Sequence, residues 1–308
     1  MDATLATPRN STSVLSQTSL LTMLRAYFAI ACRLLPDLAR RQAERLFTVP
    51  PRYAGRRTLP VDARRETIVA GNRSLAVWQV GPPTAPAVLL AHGWGGRGVQ
   101  MGRFVSPLLA SGFRVVWFDQ PGHGESGRGA VAIPDFVRSL EALAATHGPF
   151  EAAIGHSLGA AALGVALRRG LRLGRVVFVS APASIDEHAH NFARLLGITP
   201  QVREAMRHRL ERRYGVRFAD LDRLEDLERL RLPALFVHDS GDAEVPFAHA
   251  LRLSVRVPGA RLIKTYGLGH HRLLREPCVV EAVVDFVAGR VDRLPAELPV
   301  LPRPAPIY

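Results

Sequence analysis

Six apolar segments, each leading into a loop that bears glycine, histidine, aspartate, serine or proline, set what this chain can fold into. They read PAVLLAHG, FRVVWFDQPGHG, FEAAIGHS, RVVFVSAP, LPALFVHDSG and ARLIKTYG. A strand that faces water on one side alternates apolar and polar residues; a continuous apolar run is buried on both faces. Between the runs lie stretches suited to helix, near 98–111, 134–146, 158–169, 247–255 and 277–290. Strand and helix taking turns require crossover connections and hence parallel neighbours. The expected fold is therefore α/β, a mostly parallel central sheet with helices on both faces. A hairpin over 67–80, turning at Gly71-Asn72, adds antiparallel strands at one edge.

The alternation breaks at 183–231, where apolar positions such as Phe192, Leu196, Met206 and Leu210 recur at helical spacing. This predicts a small helical cap inserted into a core made of 61–182 and 232–291; peripheral helices covering the sheet are the other reading. Residues 1–60 hold an amphipathic helix, broken near Pro36, and a Pro/Arg-rich linker. The last residues, 292–308, contain five prolines and are expected to be irregular.

The 308-residue chain has 40 basic against 27 acidic residues, a net charge of +13. The basic residues are nearly all arginines and are spread along the chain. No zinc-finger, homeodomain or aromatic-rich RNA-binding pattern accompanies them, so nucleic acid is not an expected partner. Arg25 and Arg33 interrupt the apolar N-terminal stretch, leaving less than the ~20 residues needed to cross a bilayer. Asp2 and a lone Arg9 do not make the start of a secretory signal. The expected location is cytoplasmic. Residues 14–47 either pack on the domain or make peripheral contact with the inner membrane surface. Cys32 and Cys278 lack any paired spacing and are expected to be free thiols.

Chemistry on an open parallel sheet gathers at the carboxyl ends of the strands. Gly155-His156-Ser157-Leu158-Gly159 lies at one such end, before a small-residue helix. A sharp strand-to-helix turn lifts a serine hydroxyl clear of the sheet and crowds the positions two before and two after it, where glycine stands. Ser157 as a plain helix N-cap is the competing reading. A serine nucleophile needs a base. His270 and His271 follow the last strand, and His270, presented by Gly267-Leu268-Gly269, is preferred. The imidazole needs an orienting carboxylate. Asp239, Asp242 and Glu244 are available; Asp242 sits past the strand end, where it can reach sideways, and Asp239 suits a turn. The developing oxyanion needs donors, expected from the backbone N–H of Leu158 and of Trp94. His92, His156 and Phe192 are candidates to line the pocket, and His92 and His123 also suit loop bracing. No histidines have metal-ligand spacing, so no metal or cofactor is expected.

In this order, HGWGG, DQPGHGES, GHSLG, HDSGDAEVP and GLGHHRLL make the chain resemble the α/β-hydrolase superfamily over about residues 67–290. It looks like the capped esterase, lipase and serine aminopeptidase-like branch of small bacterial hydrolases. The resemblance implies the α/β-hydrolase fold with Ser157 as nucleophile, Asp242 as acid, His270 as base and the amides of Trp94 and Leu158 as oxyanion hole. Branches with an aspartate nucleophile are disfavoured by Ser157, and the HGGG form of some lipases is not kept. The expected activity is ester hydrolysis on a small acyl substrate through an acyl-enzyme. The alternatives are a thioesterase, acyltransferase or peptidase using the same residues, or a non-catalytic or peripheral-membrane binding protein on a hydrolase scaffold. The substrate's acyl length and the oligomeric state are not written in the sequence.

Overall fold

The computed structural model describes residues 11–51 and 62–298. The strands are β1 (Arg64–Ala70), β2 (Arg73–Val80), β3 (Ala87–Ala91), β4 (Arg114–Phe118), β5 (Phe150–His156), β6 (Leu173–Val179), β7 (Ala234–Asp239), β8 (Arg261–Thr265) and β9 (Glu297–Leu298). They form one sheet in the order β1-β2-β4-β3-β5-β6-β7-β8-β9. β2 runs antiparallel to both β1 and β4, and every other pairing is parallel. The expected hairpin forms, with Gly71 at φ +61 in a two-residue turn between Ala70 and Arg73.

The helices are α1 (Ser11–Leu34), α2 (Pro36–Thr48), α3 (Val105–Ala110), α4 (Ile133–His147), α5 (Leu158–Arg168), α6 (Ile185–Leu196), α7 (Pro200–Tyr214), α8 (Phe218–Leu221), α9 (Ala248–Ser254), α10 (Gly269–Arg272) and α11 (Pro277–Val287). Alternate strand residues face opposite sides of a sheet. On one side, Val88, Leu90, Ile154, Val177 and Val237 pack in a core with Met101, Phe104, Val283 and Phe286 from the α3 and α11 region. Leu89, Ala153 and Val176 are equally buried on the alternate positions but stand outside that cluster, and α5 packs on β5, β6 and α4. Burial on both faces is why these strands carry no polar alternation.

Two expectations change. The helix expected over 98–111 opens as a 3-10 helix, Gly98–Phe104, before α3. A Cβ at Gly98 would stand 2.8 Å from the Phe118 carbonyl oxygen, and the Gly98 N–H donates to Asp119 Oδ1 at 2.8 Å. This pins the segment tightly against β4. The tail is not wholly irregular: Glu297 and Leu298 add a short parallel strand beside Lys264 and Thr265. Residues 299–308 and most of the Pro/Arg-rich linker (52–61) lie outside the described residues.

The chain divides into two compact units. One holds α1 and α2 together with Asp186–Phe218; the other holds Thr48–Ile185 and the chain from Ala219 on. Within the first, Glu44 of α2 receives Arg209 at 3.1 Å and Arg213 at 3.6 Å. The Phe47 ring meets Phe192 edge-on at 5.2 Å and His188 at 5.8 Å. The expected break near Pro36 is present: α1 ends at Leu34 and α2 begins at Pro36. Proline suits a first helical turn because its missing N–H has no partner there in any case.

Candidate active site

Ser157 links β5 to α5 with φ +52 and ψ −122. A side chain rarely tolerates a positive φ unless its surroundings over-determine it. The surroundings here are two glycines. A Cβ at Gly155 would stand 2.7 Å from Ala160 Cα, inside α5. A Cβ at Gly159 would stand 2.6 Å from the Ala91 carbonyl oxygen and closer still to that of His92. The crowding at Gly159 thus comes from the neighbouring strand β3, not from the turn itself. The Ser157 N–H donates to the Val179 carbonyl at 2.9 Å, tying the turn to the end of β6.

Past β7, the Asp242 carboxylate meets His270 Nδ1 at 2.7 Å through Oδ2. Its Oδ1 accepts the N–H groups of Glu244 and Val245, each at 2.9 Å. Burial opposes its charge. The His270 hydrogen bond, the His270 ring and the two amides outweigh burial and hold the carboxyl down at about 2. Asp242 is therefore an anion fixed in orientation.

Asp239 does more than the expected turn. It is fully buried, and its Oδ2 accepts the Thr265 hydroxyl at 2.8 Å and the Leu268 N–H at 2.9 Å. Its Oδ1 accepts the Gly241 N–H at 2.9 Å. One carboxylate thus clamps the Asp242 loop to the His270 loop. His271 is exposed and meets Glu244 at 3.0 Å, an ion pair that raises the pKa of His271. Glu244 stands 3.9 Å from His270 Nε2.

His156 is buried, and its ring packs against that of His270 with centroids 4.8 Å apart. Its Nε2 pairs with the His270 carbonyl at 2.9 Å, which assigns the proton to Nε2 and leaves Nδ1 a buried acceptor without a partner. Burial first, then the neighbouring His270, lowers its pKa to about 3, so the ring is neutral near pH 7. Gly93 brings the loop after β3 up to the serine turn. A Cβ there would stand 2.9 Å from Ser157 Cβ and 3.2 Å from His156 Nδ1. No hydrogen bond joins the Ser157 hydroxyl to His270 among the described residues; such contacts are commonly long in an unliganded site.

The loop carrying Trp94 is held by two neutral histidines. Buried His92 accepts the Gln120 N–H at 2.8 Å on Nε2, and its Nδ1 donates to the Gly93 carbonyl at 2.7 Å. His123 accepts the Gly95 N–H at 3.0 Å and stands edge-on to the Trp94 ring. Burial lowers the pKa of both, that of His123 to about 4. His92 therefore braces this loop, as does His123. The N–H of Trp94 and that of Leu158, the first residue of α5, donate to no group among the described residues. Phe192 lies in the helical unit against Phe47.

Sequence reasoning passed over Ser180, which follows β6 with φ +49 and a buried hydroxyl without a partner. Its position at a strand end was the available signal. A cavity of about 40 Å³ lies beside α5, walled by Ala161, Gly164, Arg168, Pro182 and Asp222 among others; Ser157, Asp242 and His270 are not in its walls. Among the described residues no group of three or more His, Cys, Asp or Glu side chains could hold a metal ion.

The strand order, with an antiparallel second strand and a strained serine turn after the fifth, defines an α/β hydrolase. The chain belongs to the alpha/beta hydrolase family, whose pattern matches residues 88–284. It is 28% identical over 253 residues to a pimeloyl-acyl-carrier protein methyl ester esterase of Aromatoleum aromaticum, covering 66% of this chain and 99% of that one. Among solved structures it is similar to the esterase Pf2001 of Pyrococcus furiosus (TM-score 0.59, 20% identity, 80% of this chain and 98% of that chain). It is also similar to Rv0554 of Mycobacterium tuberculosis (TM-score 0.58, 19% identity, 73% and 99%). The protein is a hydrolase with esterase relatives.

Proposed function

We propose that this protein cleaves carboxylic esters through an acyl-enzyme formed on Ser157. The observation that carries the reading is the 2.7 Å bond between His270 Nδ1 and ionised Asp242, with the His270 ring packed on His156, the residue before a serine held at positive φ. With Nδ1–H committed to the carboxylate, Nε2 of His270 is the free basic nitrogen. Ser157 Oγ attacks the acyl carbon as His270 takes its proton, and Asp242 stabilises the imidazolium. The tetrahedral oxyanion is accepted by the unengaged N–H groups of Trp94 and Leu158, each worth about 3 kcal/mol in reactions of this kind. Collapse returns the proton to the leaving alcohol, and water, activated by His270, releases the acid. The methyl ester esterase relative supports an ester as the bond cleaved. The free thiols Cys32 and Cys278 support a reducing, cytoplasmic setting.

The test is labelling by a fluorophosphonate followed by peptide mapping. Ser157 is expected to carry the label, and Ser157→Ala to lose both labelling and hydrolysis of short p-nitrophenyl esters. Retained hydrolysis in Ser157→Ala sinks the reading.

A further inference from the structure

Of the fourteen large hydrophobic residues exposed among the described residues, nine lie between Leu20 and Val49. They are not scattered. Leu20, Met23, Tyr27, Ile30 and Leu34 recur at three and four residues along α1, which puts them on one face. Met23 and Ile30 are each 62% exposed and Leu34 72%. The other face of α1 is already in use, with Phe28, Ala31 and Cys32 buried. Contiguous apolar surface of this extent marks an interaction site.

Charge identifies the occupant. Arg33, three residues after Ile30, and Arg41 and Arg45 of α2 are exposed, and none has an ion-pair partner among the described residues; Arg25 lies on the opposite side of α1 from the stripe. Arg41 and Arg45 stand three and seven residues after exposed Leu38, on one side of α2. The exposed acid of these helices, Asp37, already faces Arg40 at 3.5 Å. A second copy would bring the same unpaired cations to the face and no acid to meet them. An anionic lipid surface supplies both an apolar interior and negative headgroups. No described helix is long and apolar enough to cross a membrane, so the contact is one of lying in the interface. We infer that α1 and α2 dock this protein on membranes carrying anionic lipid, with the Leu20–Leu34 stripe in the acyl boundary and the arginines at the headgroups.

The full chain is floated with vesicles of phosphatidylcholine alone and of phosphatidylcholine with an equal part of phosphatidylglycerol. Flotation is expected with the anionic vesicles, weakening as salt is raised. An arginine at such a surface contributes about fivefold to binding, so Arg41→Ala with Arg45→Ala is expected to weaken it about 25-fold. Met23→Glu with Ile30→Glu is expected to abolish it while leaving hydrolysis of a soluble ester unchanged. Failure to float, or flotation that ignores both pairs of substitutions, overturns the inference. So does a dimer in sedimentation that Met23→Glu with Ile30→Glu dissociates while vesicles remain unbound, since a second copy is then the occupant.

Discussion

Asp239 and Asp242 stand three residues apart and are separable by experiment. Asp242 touches His270; Asp239 touches Thr265, Leu268 and Gly241. Asp242→Asn is expected to lower kcat by about 10⁴, the effect of losing the orienting anion in a serine–histidine–aspartate site, and also to lower the urea midpoint, since the Asp242 charge is held by His270 and two amides. Asp239→Asn leaves the imidazole its partner but weakens the acceptor of three hydrogen bonds. A loss of about 1–3 kcal/mol in urea denaturation is expected, larger than any effect on chemistry. If Asp242→Asn keeps full turnover, His270 is not oriented as argued. The two residues also mark what is legible from local pattern. The distance from the strand end separates a residue that can reach sideways from one that cannot, and that favoured Asp242. Asp239's bonds to Thr265 and Leu268 join residues nearly thirty positions apart, so no local pattern displays them.

Helix α5 gives a matched set of glycines at the scale of one element. Gly155 and Gly159 have no room for a methyl group, whereas a Cβ at Gly164 would meet only Phe178, at 3.9 Å. Gly159→Ala must push β3 and α5 apart and is expected to destabilise by about 1–3 kcal/mol or more. Gly164→Ala is expected to stabilise by about 0.5–1 kcal/mol, because alanine loses less backbone freedom in a helix. Chemical denaturation of the two variants reads both signs; a neutral Gly159→Ala would contradict the close packing of β3 on α5. The glycines of GHSLG were readable because the demand is partly local. The 3-10 start at Gly98–Phe104 was not, because contact with Phe118 and Asp119 imposes it. The same holds for β9, whose two residues pair only because β8 offers an edge.

The whole molecule carries buried histidines whose neutrality ties stability to pH. Burial, the leading cause in each case, holds His156 at about 3 and His123 at about 4, and also lowers His92. In the unfolded chain these rings take up protons near pH 6.5. Below that pH the unfolded state binds more protons than the fold, so stability falls as the pH drops toward the folded values, by about 1.4 kcal/mol per unit for each ring. Asp242, depressed to about 2, adds a further loss as the pH falls from its unfolded value near 4. His271 runs the other way, gaining below its raised value, but it is exposed and contributes little. The urea midpoint is therefore expected to fall steadily from about pH 7 to about pH 4.5. A flat profile would mean that these rings are protonated in the fold.

The division into units also imposes an order in time. α1 and α2 leave the ribosome well before the residues they pack on, for the partners of Glu44 and Phe47 are Arg209, Arg213, His188 and Phe192. At about 5–20 residues per second, synthesis takes roughly 10–30 s to reach them. Throughout that interval Glu44 and Phe47 are without these four partners. Two helices made early in this order are thus finished only when a segment more than a hundred residues later has followed them.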